Sequence, residues 1–312
     1  MKNKVFGIIP NGDDVYSVEL VSGDLSINVI TFGAILQDMR FRNKPVVLGY
    51  NELEPYLNNP YFYGATIGRF ANRLKNGSAQ LRDETIQLEI NSKGGHHIHG
   101  GSKGSSYKNW DIIEQSQTYV ILEVLLPDGE MGFPGNLLTQ VKYELIPNNS
   151  LKISITASTD KETLCSFAHH SYFNLGDEEL IQGHNLEVLA EKYVDVDENG
   201  IPVRICKVDD SLFDFRIKKE ILSKYIIDHN FCLKDQKSEI SKAASLSKGK
   251  ILLELSTTEP GLQVYNGHKL GIALEPQIWP DAPNNVSFPS AILKPGELYK
   301  QQSIFKFTYG NL

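Results

Sequence analysis

Two short stretches carry side chains suited to proton transfer. In "FAHHSYFNLG" the adjacent histidines His169 and His170 stand beside Tyr172 and Phe173, and in "IALEPQIWPDAPNN" Glu275 follows an apolar run and precedes Trp279. A carboxylate against apolar walls has a raised pKa, which suits a base near neutral pH, and histidine titrates in that range unaided. A strand-end glutamate in solvent explains the same residue, so its neighbours leave both readings open. "DHNFCL" sets Asp228 beside His229 with the same ambiguity, and "GRFANR" supplies Arg69 and Arg73, which surface or structural ion pairs would also explain.

A third stretch, "GGHHIHGG" at residues 94–101, places three histidines between two glycine pairs. His97-x-His99 on a β-rich chain suggests a cupin-like metal site, but that pattern wants a glutamate a few residues on. "HIHGGSKGSSYKNWD" holds no acid before Asp111, so the ligand types fit and the spacing fails. The plain reading of His96 and His97 is that at least one is an exposed loop histidine. "GGSKGSS" lacks the order of a phosphate-binding loop. No G-x-S-x-G elbow exists, and Cys165, inside an apolar segment, reads as a small buried hydrophobe.

The whole chain narrows the class. It has 312 residues, 41% hydrophobic and 22% charged, with a formal net charge of −7. That is ordinary globular composition, and with no lysine or arginine cluster it argues against nucleic acid as a partner. The three cysteines, Cys165, Cys206 and Cys232, form no Cys-x-x-Cys pair and imply neither a disulfide framework nor a structural zinc. No apolar run reaches the length of a membrane span, and "MKNKVFGIIPNGDD" does not read as a signal peptide, so a cytoplasmic setting is expected.

The elements that must position these residues are strands. "LKISITAS" alternates Leu151, Ile153, Ile155 and Ala157 with Lys152, Ser154 and Thr156. "YVILEVLLP", "VYSVELV", "LSINVITF" and "ILLELSTT" are short and rich in β-branched residues, bounded by turn clusters such as "VSGD" and "PDGEMGFPGN". Many short strands between turns predict an all-β sandwich or barrel. Only "LEPYLNNP" and "KKEILSKYIID" offer a helical turn, and "KSEISKAASLSKGK" reads as a long surface loop within one domain. On extended strands alternate residues share a face, so a site should collect single residues from scattered segments.

Taken together, the segments resemble the aldose 1-epimerase (galactose mutarotase) family. The similar stretches run in the family's order: "FGAILQDMRF", "GRFANRLKNG", "IHGGSKG", "HHSYFNLG", "LFDFR", "DHNFCL", "PGLQVYNG" and "LEPQIWPDAPNNVSFPSAILKPGELY". They cover nearly everything from Phe32 to Phe307. The resemblance implies one domain over 1–312, a large antiparallel β-sandwich of the mutarotase supersandwich type with few short helices, and a sugar cleft on one sheet. It implies His170 as general acid and Glu275 as general base. Asn72, Arg73, His99, Tyr172, Asp228 and Gln263 fall on sugar-lining positions. The implied activity is interconversion of the α and β anomers of free aldoses such as glucose or galactose, with no cofactor or metal. A hexose-6-phosphate epimerase and a non-catalytic carbohydrate-binding module are the competing readings.

The chain also departs from the family pattern. His96 and His97 stand where relatives usually carry Asn, Gly or Pro, and His169 replaces a common asparagine. His169 is expected on the strand face opposite to His170. Trp279 is available either to stack on a sugar or to fill the core. The link from Gly267 to Glu275 is short where many relatives carry a longer excursion, which predicts a tight turn around His268 to Gly271. The cleft is then either open on that side or walled by "KDQKSEISKAASLSKGK".

Overall fold

The structure is a computed structural model that describes residues 3–176, 180–222 and 224–310. Alternation sets the architecture. In the strand Ser150–Thr159, Leu151, Ile153, Ile155 and Ala157 are buried while Lys152, Ser154 and Thr156 are only half-buried. This strand sits inside a nine-stranded antiparallel sheet, between Leu137–Ile146 and Tyr299–Tyr309. A six-stranded sheet runs in the order Tyr172–Phe173, Ile272–Gln277, Gly261–Tyr265, Asp228–Cys232, Lys192–Val196, Pro202–Lys207. A five-stranded sheet is built from the first 45 residues.

The inner faces of these sheets share one core. Leu122, Val141, Ile153, Leu253, Phe305 and Phe307 of the large sheet join Phe231, Leu262, Val264, Ile272 and Leu274 of the six-stranded sheet. Each fully buried side chain of this size contributes roughly 1.5–3 kcal/mol relative to exposure, so this shared layer dominates the folding free energy. The expected all-β sandwich is what forms. Among the described residues helix is limited to single turns, of which Glu54–Leu57 in "LEPYLNNP" is the α-helical one. No helix among the described residues is long and apolar enough to cross a membrane.

Two expectations are corrected. "KSEISKAASLSKGK" is not a surface loop: Ser241–Lys248 is a strand paired with Ile251–Thr257 on one side and Asn185–Val188 on the other. Its alanines and serines have weak strand preference, but two neighbouring strands and burial of Ala243, Ala244 and Leu246 override it. Ser245 fits the buried environment by donating to the Glu187 carboxylate at 3.0 Å. "KKEILSKYIID" shows no helix among its described residues. Lys219–Glu220 pairs instead with Asn185 and Leu186 at the sheet edge, and Ser223 lies outside the described residues.

Candidate active site

The outer face of the six-stranded sheet supplies the floor of a cleft. Register brings Gln263 opposite Glu275, Asp228 opposite Tyr265, and Tyr172 opposite Ala273. The alternation that sends Leu262, Val264 and Leu274 into the core sends Gln263, Tyr265 and Glu275 the other way. His170 joins them from the segment between Ala168–His169 and Tyr172–Phe173, its backbone N–H donating to the Ala65 carbonyl at 2.9 Å. The remaining wall is Asn72, Arg73, Ile98 and His99, with Pro60, Tyr61 and Phe62 beside them.

Asn72 and His99 lock each other. The His99 N–H donates to the Asn72 carbonyl and the Asn72 N–H donates to His99 Nδ1, both at 3.1 Å. Nδ1 therefore accepts, and the ring proton resides on Nε2. Both residues hold left-handed backbone, φ 67° and 53°. Gly100 follows with φ 81°, where a Cβ would stand 1.9 Å from the Gly68 carbonyl oxygen, so only glycine lets the chain pass. This accounts for the glycines around the histidine stretch: they bring His99 to the cleft.

The other two histidines are not exposed, contrary to the plain reading. His96 and His97 are both buried. His96 Nδ1 accepts from the Asn76 N–H at 2.9 Å, and His97 Nδ1 lies 2.8 Å from the Glu89 carbonyl, to which it donates, with its ring edge-on to Phe133. One hydrogen bond at each Nδ1, accepted by His96 and donated by His97, ties the two rings to the backbone of Asn76 and Glu89. They support the loop from behind.

At the centre, His170 Nε2 lies 3.3 Å from Glu275 Oε2. Both side chains are almost completely buried. Burial pushes the Glu275 carboxyl well above its ordinary value, with the Asp228 charge adding to the rise and Arg73 opposing it. Burial pushes His170 down to about 4. Each group is thus driven towards its neutral form, and the contact is better described as a pair holding one proton than as a standing ion pair. His99 is driven well below its usual value by burial and then by His170 and Arg73, so it is a neutral hydrogen-bonding group. The Tyr172 ring packs on His170 with centroids 5.2 Å apart and fixes the imidazole's plane.

The distal end of the cleft carries charge. Asp228 accepts from Gln263 Nε2 at 2.6 Å and faces the Arg73 guanidinium at 3.8 Å. Every sugar-lining position expected from the sequence, Asn72, Arg73, His99, Tyr172, Asp228 and Gln263, borders the same cleft as His170 and Glu275. Trp279 does not. It is buried against Phe288 and donates Nε1–H to the Pro260 carbonyl at 3.0 Å, so it is a core residue. Arg69 is also structural, but it forms no ion pair among the described residues. It is buried, and its guanidinium donates to the carbonyls of Leu126, Pro127, Pro134 and Gly135 and to the Thr163 hydroxyl.

Sequence reasoning missed Phe62, Tyr61 and Tyr265. Tyr265 had a signal: it stands two residues after Gln263, hence on the same face. Phe62 packs on His99 with centroids 4.8 Å apart and adopts φ 55°, for which its sequence gives no cue. The short link does make a tight turn, Asn266 accepting from the Lys269 N–H at 2.9 Å. "KDQKSEISKAASLSKGK" does not wall the cleft there. Tyr61 does, with the His268 ring 4.3 Å behind it, while His268 Nε2 hydrogen-bonds the Tyr63 hydroxyl at 2.6 Å.

His169 faces the interior as expected, between Tyr143 and Phe305, with the Ser171 hydroxyl 2.8 Å from Nε2. Burial pushes it down to about 3. His169→Asn is therefore expected to leave both limbs of the pH–rate profile in place. A displaced alkaline limb, measured by anomer-resolved NMR across pH, would show that His169 shares the catalytic proton.

Comparison with known proteins gives the family. The aldose 1-epimerase family model matches residues 16–306. Galactose mutarotase from Mus musculus is 34% identical over 337 aligned positions, covering 97% of each chain. Aldose 1-epimerase from Escherichia coli (strain K12) is 32% identical, covering 98% of this chain and 99% of its own. The crystal structure of galactose 1-epimerase from Lactobacillus acidophilus NCFM superposes with a TM-score of 0.89 at 30% identity, with 99% of each chain covered. The chain belongs to the aldose 1-epimerase family and is an isomerase that interconverts the anomers of aldoses.

Proposed function

We propose that one domain, residues 1–312, binds a free aldose such as glucose or galactose, with Glu275 as the base and His170 as the acid. The observation that carries this is the 3.3 Å contact between His170 Nε2 and Glu275 Oε2 on a buried floor. Glu275 takes the proton from the C1 hydroxyl. The C1–O1 bond becomes a carbonyl, the C1–O5 bond breaks, and O5 takes a proton from His170. Rotation about C1–C2 presents the other carbonyl face, and the same two transfers in reverse close the ring. No electrons are gained or lost.

Ring opening starts from carboxylate and imidazolium and ends with carboxylic acid and neutral imidazole. Those end forms are the ones burial favours in each residue. Desolvation therefore keeps the reactive carboxylate–imidazolium form of the pair a minor one and makes its discharge during ring opening downhill. Arg73, Asp228, Gln263 and the Nε2–H of His99 are positioned to hold hydroxyls while C1 turns, and Asn72 keeps His99 aimed. Among the described residues Arg73 is the only lysine or arginine on the cleft wall, and Asp228 sits against it, so a phosphorylated sugar is not favoured. The free thiols of Cys165, Cys206 and Cys232 suit a reducing compartment, and we take the setting as cytoplasmic.

The direct test is polarimetry or NMR on freshly dissolved α-glucose and α-galactose. The protein should speed approach to equilibrium without moving the final ratio, and rates equal to buffer across an aldose panel would favour a binding module instead. The pH dependence follows from the pair. Between about 4 and the raised carboxyl value the two groups share one proton, which is the active count. Below that window His170 gains a second proton and the base is lost; above it the last proton leaves and the acid is lost. A wide-topped bell in kcat/KM is expected, its acid limb near 4. Activity that collapses between pH 7 and 5 would contradict this assignment.

A further inference from the structure

The turn 59–65 frames His170. Its backbone grips the histidine in both directions: the Gly64 N–H donates to the His170 carbonyl at 3.0 Å, and the Ala65 carbonyl accepts from the His170 N–H at 2.9 Å. Phe62 lies against the imidazole with ring centroids 6.0 Å apart. Tyr63 packs at 5.1 Å on Tyr172, the ring that itself covers His170. In a close-packed interior a shift of this turn shifts the imidazole with it.

Glu275 stands on the strand that leaves the link 266–271. That link is anchored. Buried Asn266 accepts from the Ile227 N–H at 2.7 Å and donates to the Tyr225 carbonyl at 3.0 Å, and the Leu270 carbonyl accepts from the Asn174 amide at 2.9 Å. From it one side chain crosses to the turn. His268 Nε2 lies 2.6 Å from the Tyr63 hydroxyl, and the His268 ring stands edge-on to Tyr61 with centroids 4.3 Å apart. Tyr63 is buried, and among the described residues its hydroxyl bonds to His268 alone. This bond joins the turn of the acid to the link behind the base. A buried hydroxyl that lost it would draw the turn towards water.

We propose that His268 is a positioning residue: through Tyr63 it fastens the turn that frames His170 to the link behind Glu275, and so sets how the acid faces the base. The proposal rests on the two roles assigned under Proposed function. Pairing of Tyr172 with Ala273 fixes the coarse placement of the two segments, and the His268–Tyr63 bond fixes the tilt of the imidazole within it. Three variants test it. His268→Ala removes the bond, Tyr63→Phe removes only the hydroxyl, and His268→Gln keeps a hydrogen-bonding group in the same place.

With glucose, His268→Ala and Tyr63→Phe should each lower kcat about three- to tenfold, the worth of one hydrogen bond, while KM stays within about twofold of wild type. The double variant should cost no more than either single one, because both remove the same bond. His268→Gln should recover most of the loss. NMR of ring-labelled histidine reads the imidazole itself. His170 faces Glu275, His99 and Tyr172, and burial holds it down at about 4. A loosened turn admits water, so the His170 midpoint should rise in His268→Ala and in Tyr63→Phe. Unchanged kcat with an unmoved midpoint would overturn the proposal, whatever the loss of thermal stability. So would a fall in kcat with the midpoint unmoved, or losses that add in the double variant. A raised midpoint with unchanged kcat would uphold the fastening and count instead against His170 as the acid. If His268→Ala does not fold, Tyr63→Phe, which deletes one buried oxygen, carries the same readings.

Discussion

Glu275→Gln is expected to lower kcat by about 10²–10⁴-fold, the usual worth of one positioned proton-transfer group, while the fold and sugar affinity persist. The amide keeps the carboxylate's shape beside Gln263 and His170 but cannot take a proton from a hydroxyl. His170→Asn should cost a similar factor, because O5 then leaves as an alkoxide without a donor. The double variant should be little worse than either single one, since the two groups act as a unit around one shared proton. Single-turnover NMR with α-glucose measures the loss, and calorimetry with glucose checks that binding survives. A Glu275→Gln protein within tenfold of wild type would remove Glu275 from its role as base.

The second large effect is on stability. Arg69→Ala should destabilise the protein by about 3 kcal/mol, read from the shift of a urea unfolding curve. Burial is severe enough to push the guanidinium down to about 10, yet it stays charged at neutral pH and hydrogen-bonds to four carbonyls. Those carbonyls belong to the turn "PDGEMGFPGN" and its approach, a stretch too irregular to satisfy itself through a sheet ladder. Removing the fork leaves several buried acceptors unpaired at once. Arg69→Lys should recover only part of the loss, because a single ammonium cannot span the same geometry. A variant as stable as wild type would mean that water replaces the guanidinium without cost.

The sequence made the sandwich legible because strands with period two declare their faces, whereas the proposed acid and base roles of His170 and Glu275 came from the resemblance to the family. The run "LKISITAS" could be read this way, and so could the separation of His169 from His170. Serine and alanine in "SKAASLSK" carry no such mark, so a strand held by pairing on both sides looked like a loop. The buried His96 and His97 looked exposed because their satisfying partners, Asn76 and Glu89, come from other segments. Trp279, just past the strand that carries Glu275, was ambiguous for the same reason. Whether it meets a sugar or Pro260 depends on how the chain turns after Gln277, and residue types do not encode that locally. The family pattern supplied the individual roles, which composition and spacing left open.

Core and cleft residues alternate along the same strands, Leu274 beside Glu275 and Leu262 beside Gln263. Deleting one residue within Ile272–Gln277 would exchange the two sets, placing a carboxylate in the core and a leucine in the cleft. A point substitution alters one face at a time, whereas an insertion or deletion within a floor strand inverts both faces beyond it. Length change must be channelled into connections such as 266–271. The mouse relative aligns over 337 positions against 312 residues here, so the two chains differ by gaps. The hairpin end is therefore where this architecture is free to evolve new rims around an unchanging reaction.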